Sequence, residues 1–174
     1  EPSRDELLRF ADRLEAAVRD AAATVELFGD FEIPRFETEG DLISLIDPST
    51  YAIVGGEIHS LDHGWTKPVS EYRSIFEEKV VGHSNSKHVV VDGKTFMASA
   101  LSRVNNSWDH LLPSARVVAS KVGMRPTNKN PFLNNVCQAI ELVDAAERCA
   151  MLCREIADDT ESVLPVEVKP CEGI

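Results

Sequence analysis

The sequence predicts a mainly α fold of the α+β kind: a four-helix core carrying two small antiparallel β-hairpins. Three observations carry that reading. Apolar residues recur at helical spacing over two long stretches, one near each end of the chain. Proline at the start and glycine just past the end punctuate two shorter helices between them. Gly55-Gly56 and Asp92-Gly93 each stand between β-prone runs, where residues tolerant of positive φ close tight hairpins.

Ser3-Arg4-Asp5-Glu6 has the form of a capping box, and Phe10, Ala11, Leu14, Val18, Ala21, Ala22 and Val25 follow at helical spacing. The first helix is therefore predicted from about residue 4 to Phe28, ending near Gly29. Asp47-Pro48-Ser49 reads as a turn, and Gly55-Gly56 joins "TYAIV" to "EIHSL" as the first hairpin. Pro68 opens a second helix with Val69, Tyr72, Ile75, Phe76 and Val80 on one face, Lys79 in its last turn and Gly82 beyond. The second hairpin runs from His88-Val89-Val90-Val91 through Asp92-Gly93 to Lys94-Thr95-Phe96-Met97. Pro113 and Gly123 bracket a third helix, and the polar loop "MRPTNKN" follows it. The last helix runs from Pro131 to about Asp158 with two apolar seams. Phe132, Val136, Ile140, Val143, Ala146, Ala150, Cys153 and Ala157 form one, and Leu142, Ala145, Cys149, Leu152 and Ile156 the other. No repeat or linker divides the chain, so residues 1–174 are predicted to form a single helical domain.

At 174 residues, 43% apolar and 27% charged, the chain is in the globular class and long enough for a real core. With 29 acidic against 18 basic residues the formal net charge is -11, and the basic residues form no stripe; nucleic acid and anionic membrane are excluded as expected partners. No apolar run reaches the ~20 residues of a membrane span, and "EPSRDELLRF" has no signal-peptide character. The expectation is a cytoplasmic protein. The chain begins without Met and stops after a strand-like "LPVEVKP", which suggests an internal fragment of something longer.

Residues with chemical capacity are present without an obvious arrangement. His59, Asp62 and His63 offer nitrogen and oxygen donors after the first hairpin, and His83 and His88 bracket "SNSK", but loops set no fixed ligand geometry. His110 reads as a helix-start residue. The four cysteines, Cys137, Cys149, Cys153 and Cys171, include no Cys-x-x-Cys pair; Cys149 and Cys153 are expected to pack as small hydrophobes in the last helix's seams. The carboxylate pairs Glu77-Glu78, Asp158-Asp159 and Glu37 with Glu39 lack the desolvated pocket that would separate two pKa values. No phosphate loop or nucleophile elbow appears.

One run answers to none of these rules: Ser99-Ala100-Leu101-Ser102-Arg103-Val104-Asn105. It resembles the "GPLARLN" segment of nickel-iron hydrogenase large subunits, in the cytoplasmic, cofactor-linked branch that includes NAD-reducing and viologen-reducing enzymes. "YAIVGGEIHSLD" resembles a hairpin of those subunits, and Val81-Gly82-His83-Ser84 the end of the helix after it. "CQAIELVDAAERCAMLCREI" is similar to their long helix of pattern "RAIELLYALE", with Ala139-Ile140-Glu141-Leu142 in register. "LPVEVKPCEGI" resembles the strand before their "GVGAVEAPRG" segment. The family's "SYLKFPYLKPLG" stretch is shortened to "HSNSKHVVVDGKTF", and its Gly-Pro is Ser99-Ala100 here.

The resemblance implies a parent that oxidises hydrogen reversibly at a nickel-iron centre, with an iron-sulfur small subunit as partner. That centre is held by two Cys-x-x-Cys motifs, and neither is present, so no catalytic, cofactor or metal ligand is assigned to this chain, which is expected to be inactive by itself. Cysteines 12 and 4 residues apart do not make two converging chelating pairs. Arg103 and Asn105 are the supporting groups the resemblance suggests, a fork of donors orienting a loop from elsewhere in the subunit; a surface ion pair and a turn cap are their plain reading. In the supporting role, the Arg103 fork faces a group outside the chain, and self-association through uncovered apolar seams is expected. The alternative is a stand-alone, metal-free scaffold or interaction module of the same fold, like the related subunits of quinone-reducing complexes.

Overall fold

The computed structural model describes residues 2–158. Helix α1, Arg4–Gly29, starts at the capping box: the Ser3 N–H donates to Glu6 Oε2 at 2.8 Å and the Glu6 N–H returns to Ser3 Oγ at 3.3 Å. Helix α5, Asn134–Asp158, lies antiparallel along it. Arg4 meets Asp158, and Arg154 reaches both Asp12 and Glu15, so the start of one helix lies beside the end of the other. Ala11, Ala21 and Val25 on one side and Val136, Ile140, Val143, Ala146 and Ala150 on the other are buried. The small residues let the two helices approach closely, and α4, Pro113–Lys121, closes the bundle with Ala115, Val118 and Ala119.

The helix-dominated α+β class holds, but the segments that build it differ from the sequence reading in four places. Strand β1 is Asp41–Ile46, paired antiparallel with β2, Glu57–Ser60, in the register Ile43 to Ser60 and Ile46 to Glu57. "TYAIV" is therefore not a strand: Tyr51 and Ala52 turn into the core while Ile53 and Val54 face solvent. The apolar run 42–46, with Leu42 and Ile43 buried, takes the strand position instead. Gly56 closes the turn at φ 122°, where a Cβ would lie 2.3 Å from the Ile46 carbonyl oxygen.

The helix expected after Pro68 is one turn long. Thr66–Pro68 is strand β3, a 3-10 turn spans Val69–Glu71, and α2 covers only Tyr72–Ile75. Phe76 is extended, and Glu77–Lys79 becomes strand β4, because β5, His88–Val90, offers it an antiparallel edge. The Asp92-Gly93 turn forms as expected, with φ of 49° and 75° and reciprocal Val91 and Lys94 backbone bonds. Its arms then part: β5 pairs with β4, while β6, Phe96–Met97, runs parallel to β1. The sheets are accordingly β3-β2-β1-β6 and β4-β5.

The fourth difference is at the run the sequence could not assign. Ala100–Asn106 is helix α3, buried through Ala100, Leu101, Ser102, Val104 and Asn105. It takes the core place expected for the helix after Pro68. Leu101 and Val104 meet Leu42, Leu111, Met124 and Ile140 in the main core, and a smaller core gathers Ile43, Ile58 and Ile75 under Trp65, Phe76 and Phe96. The first seam of α5 is buried from Val136 to Ala157 except at half-buried Cys153, although Phe132 precedes the helix and is exposed; of the second seam, Leu142, Cys149, Leu152 and Ile156 are exposed. The strand expected over "LPVEVKP", with Asp159 and Cys171, lies outside the described residues.

Candidate functional site

Helix α3 is short, so its side chains are read by what they tie together. The Ser102 hydroxyl donates to the Met97 carbonyl at 2.5 Å, and the Leu101 N–H donates to the Asn134 side chain at 3.2 Å, which seats the start of α3 against the start of α5. Asn106 Nδ2 donates to the Leu42 carbonyl and to Ser44 Oγ, fixing the helix to β1. Three sides of the domain therefore converge on seven residues.

Arg103 lies on the α5 side. Its Nε donates to Glu141 Oε1 at 2.6 Å and its Nη2 to Glu141 Oε2 at 2.8 Å, a fork-to-fork pair. The Tyr51 hydroxyl adds a third donor to Glu141 Oε1 at 2.8 Å. The side chains are 31% and 15% exposed, so the pair sits at the edge of the core. The hydrogen bonds Arg103 donates to Glu141 and the charge of that carboxylate hold the Arg103 pKa up, while burial and the neighbouring carboxylate drive the Tyr51 phenol far above its usual range. Burial likewise pushes the Cys137 thiol up to about 12, so it stays a thiol. Glu141, Tyr51 and Cys137 were not singled out as a site by the sequence. The usable signal was the place of Glu141 in the family-like run Ala139-Ile140-Glu141-Leu142.

Asn105 is 6% exposed and faces away from Arg103. Its Nδ2 donates to the Leu101 and Asn128 carbonyls at 2.7 and 2.9 Å, and its Oδ1 accepts from the Asn128 N–H at 2.9 Å. It thus pairs with the Asn128 backbone in the way a strand would and holds the loop after α4. Arg103 and Asn105 are brought into one helix but serve two different contacts. Among the described residues, the Arg103 fork faces Glu141 of the same chain.

The other candidates do not converge. His59 Nδ1 lies 2.9 Å from Thr66 Oγ1, Asp62 pairs with Lys129 at 2.6 Å, and His63 is exposed. The His83 and His88 rings meet edge to face at 5.4 Å on the surface. His110 closes a 3-10 turn and lends its carbonyl to Arg148. Glu77 and Glu78 are matched by Lys79 and Lys87, while Glu37 and Glu39 are exposed. Cys137 is buried, but Cys149 is exposed and Cys153 half-buried, which corrects the expectation that both pack in a seam: α1 covers only one side of α5. Asp144 and Arg148 are more than a surface pair, since Asp144 is buried and also accepts from the Leu112 N–H at 2.7 Å.

Among the described residues no three His, Cys, Asp or Glu side chains are grouped so as to hold a metal ion. A nickel-iron thiolate centre does not fit the donors among the described residues: Cys137 is a buried, protonated thiol, and Cys149 and Cys153 share one helix surface. No helix among the described residues is long and apolar enough to cross a membrane.

No family model matches the chain. Among curated proteins it is similar to sulfhydrogenase 1 subunit alpha of Pyrococcus furiosus, with 36% identity over 159 residues, covering 88% of this chain. That alignment covers 36% of the relative, so the chain spans about a third of the length of the protein it matches. A likeness at this identity over nearly all of the chain, carried on a fold whose family-like run is a buried three-way junction, makes the chain hydrogenase-like.

Proposed function

We propose that this chain is a helical framework section of a nickel-iron hydrogenase large subunit of the cytoplasmic, cofactor-linked branch. The parent would oxidise hydrogen reversibly and pass the electrons to an iron-sulfur partner subunit. The metal would be held by segments outside this chain, and the role left to these residues is to fix the α3–α5 junction against which such segments pack. One observation carries the reading: the two family-like runs, "ALSRVN" and "AIEL", are far apart in sequence yet joined by the Arg103 to Glu141 fork. A scaffold unrelated to hydrogenases has no reason to combine both runs with that pair.

The test compares the isolated chain with the polypeptide that contains it. Elemental analysis of the purified chain is expected to find no stoichiometric nickel or iron, because no set of thiolates converges in it. The containing polypeptide, purified with its associated subunits, is expected to carry both metals and to reduce viologen with hydrogen. About one nickel per isolated chain, or a metal-free containing polypeptide, would refute the proposal.

A further inference from the structure

A cleft on the far side of Asn105 from the Arg103–Glu141 pair opens between residues 34–38 and the loop 124–130. Its volume is about 520 Å³ and it is lined by Arg35, Phe36, Glu37, Arg125, Thr127 and Asn128, among others. The two walls are stitched together: Asn130 Nδ2 donates to the Pro34 carbonyl at 2.8 Å and the Thr38 N–H to the Lys129 carbonyl at 3.1 Å. Asn105 pins Asn128 from beneath, and Thr127 is held at φ 66°, a conformation rarely adopted by a β-branched residue. The cleft is thus preformed.

Its donors are in excess. Among the described residues, Arg35 has no ion pair or side-chain hydrogen bond, and Arg125 uses only Nη1, on the Met124 carbonyl. The Thr127 hydroxyl and Asn128 Nδ2 likewise have no acceptor among the described residues, and Asn128 Oδ1 is already taken by the Asn130 N–H. Glu37 is the one acid in the lining. In a chain of net charge -11, two guanidiniums, a hydroxyl and an amide facing one cleft favour an oxyanion with several acceptor atoms. Phe36, half-exposed, adds an apolar wall beside them.

We infer that this cleft binds a phosphate-bearing small molecule, with Arg35 and Arg125 on the phosphate oxygens. The inference does not rest on the hydrogenase reading. The same phosphate chemistry is supplied by a free polyphosphate or by a nucleotide, and Phe36 distinguishes them by stacking with a base.

The test is titration of the isotope-labelled chain with pyrophosphate, ADP and succinate at matched ionic strength, read by amide chemical shifts. Pyrophosphate and ADP are expected to give saturable shifts at residues 35–37 and 125–130, and the double substitution Arg35→Ala with Arg125→Ala to weaken them at least about tenfold. The exposed Arg73→Ala, elsewhere on the surface, is the control and should leave binding unchanged. ADP binding tighter than pyrophosphate, with the gain lost in Phe36→Ala, marks the nucleotide as the source; equal binding marks the polyphosphate. Absence of saturation at the cleft, indifference to the double substitution, or succinate binding as tightly as pyrophosphate would overturn the inference.

Discussion

Arg103 illustrates how a side chain acquires its meaning from what its donors reach. An exposed arginine is worth little to stability, but this one is matched, fork to fork, by a carboxylate that also holds a buried tyrosine hydroxyl. Arg103→Ala is therefore expected to lower the chain's stability by about 2 kcal/mol in urea denaturation, since the half-buried Glu141 side chain would be left with only the Tyr51 hydroxyl as a partner. Arg103→Lys should recover only part of this, because a point charge does not span both oxygens. A loss below about 0.5 kcal/mol would mean that the guanidinium faces solvent or an outside partner. The same cluster sets a pH dependence. The folded state keeps the Cys137 thiol protonated up to about pH 12, whereas the unfolded chain releases that proton near its ordinary 9.0. Between those values the unfolded state binds fewer protons, so stability falls with rising pH, by about 1.4 kcal/mol per unit. Tyr51, also held protonated, steepens the fall above its ordinary 10.0. Thermal unfolding between pH 8 and 11 should show the decline begin near pH 9, and Tyr51→Phe should remove the steeper part alone.

At the level of elements, Asn105 makes the loop after α4 part of the fold. Its amide makes two hydrogen bonds to Asn128, part-buried, and a buried one to Leu101. Asn105→Ala is expected to cost about 2 to 3 kcal/mol and to raise hydrogen exchange selectively over residues 124–130. Exchange rising evenly over the whole domain would show that the loop has no independent stability. The helices at both ends were legible in the sequence because capping and apolar periodicity are local properties: Ser3 and Glu6 settle the start of α1 without help from the rest of the chain. The middle was less legible because strand pairing is not local. Asp92-Gly93 correctly marked a turn, yet which strand each arm joins depends on β1 and β4, distant in sequence. Arg103 and Asn105 stood out by resemblance, but their partners Glu141 and Asn128 could not be read without the fold, since 38 and 23 residues separate the pairs.

For the whole molecule, the balance of covered and uncovered apolar surface matters most. Helix α1 and α4 cover one side of α5, and the opposite side presents Leu142, Met151, Leu152 and Ile156, each more than half exposed. Leu142, Cys149, Leu152 and Ile156 recur at spacings of seven, three and four, the seam of a helix that packs against another helix. In the isolated chain a second copy is one available cover, which would oppose two seams and bury both. Net charge works against this: each copy carries -11, so at low salt the copies repel. Light scattering is therefore expected to show association that strengthens from about 0.01 M to 0.5 M salt as the screening length shortens from ~30 Å to a few Å. Leu152→Glu with Ile156→Glu should abolish association while leaving the folded domain intact, because both side chains already face solvent in the monomer. A strict monomer at every salt concentration, or association unaffected by the double substitution, would show that this seam is not a docking surface and would remove one support for reading the chain as part of a larger assembly.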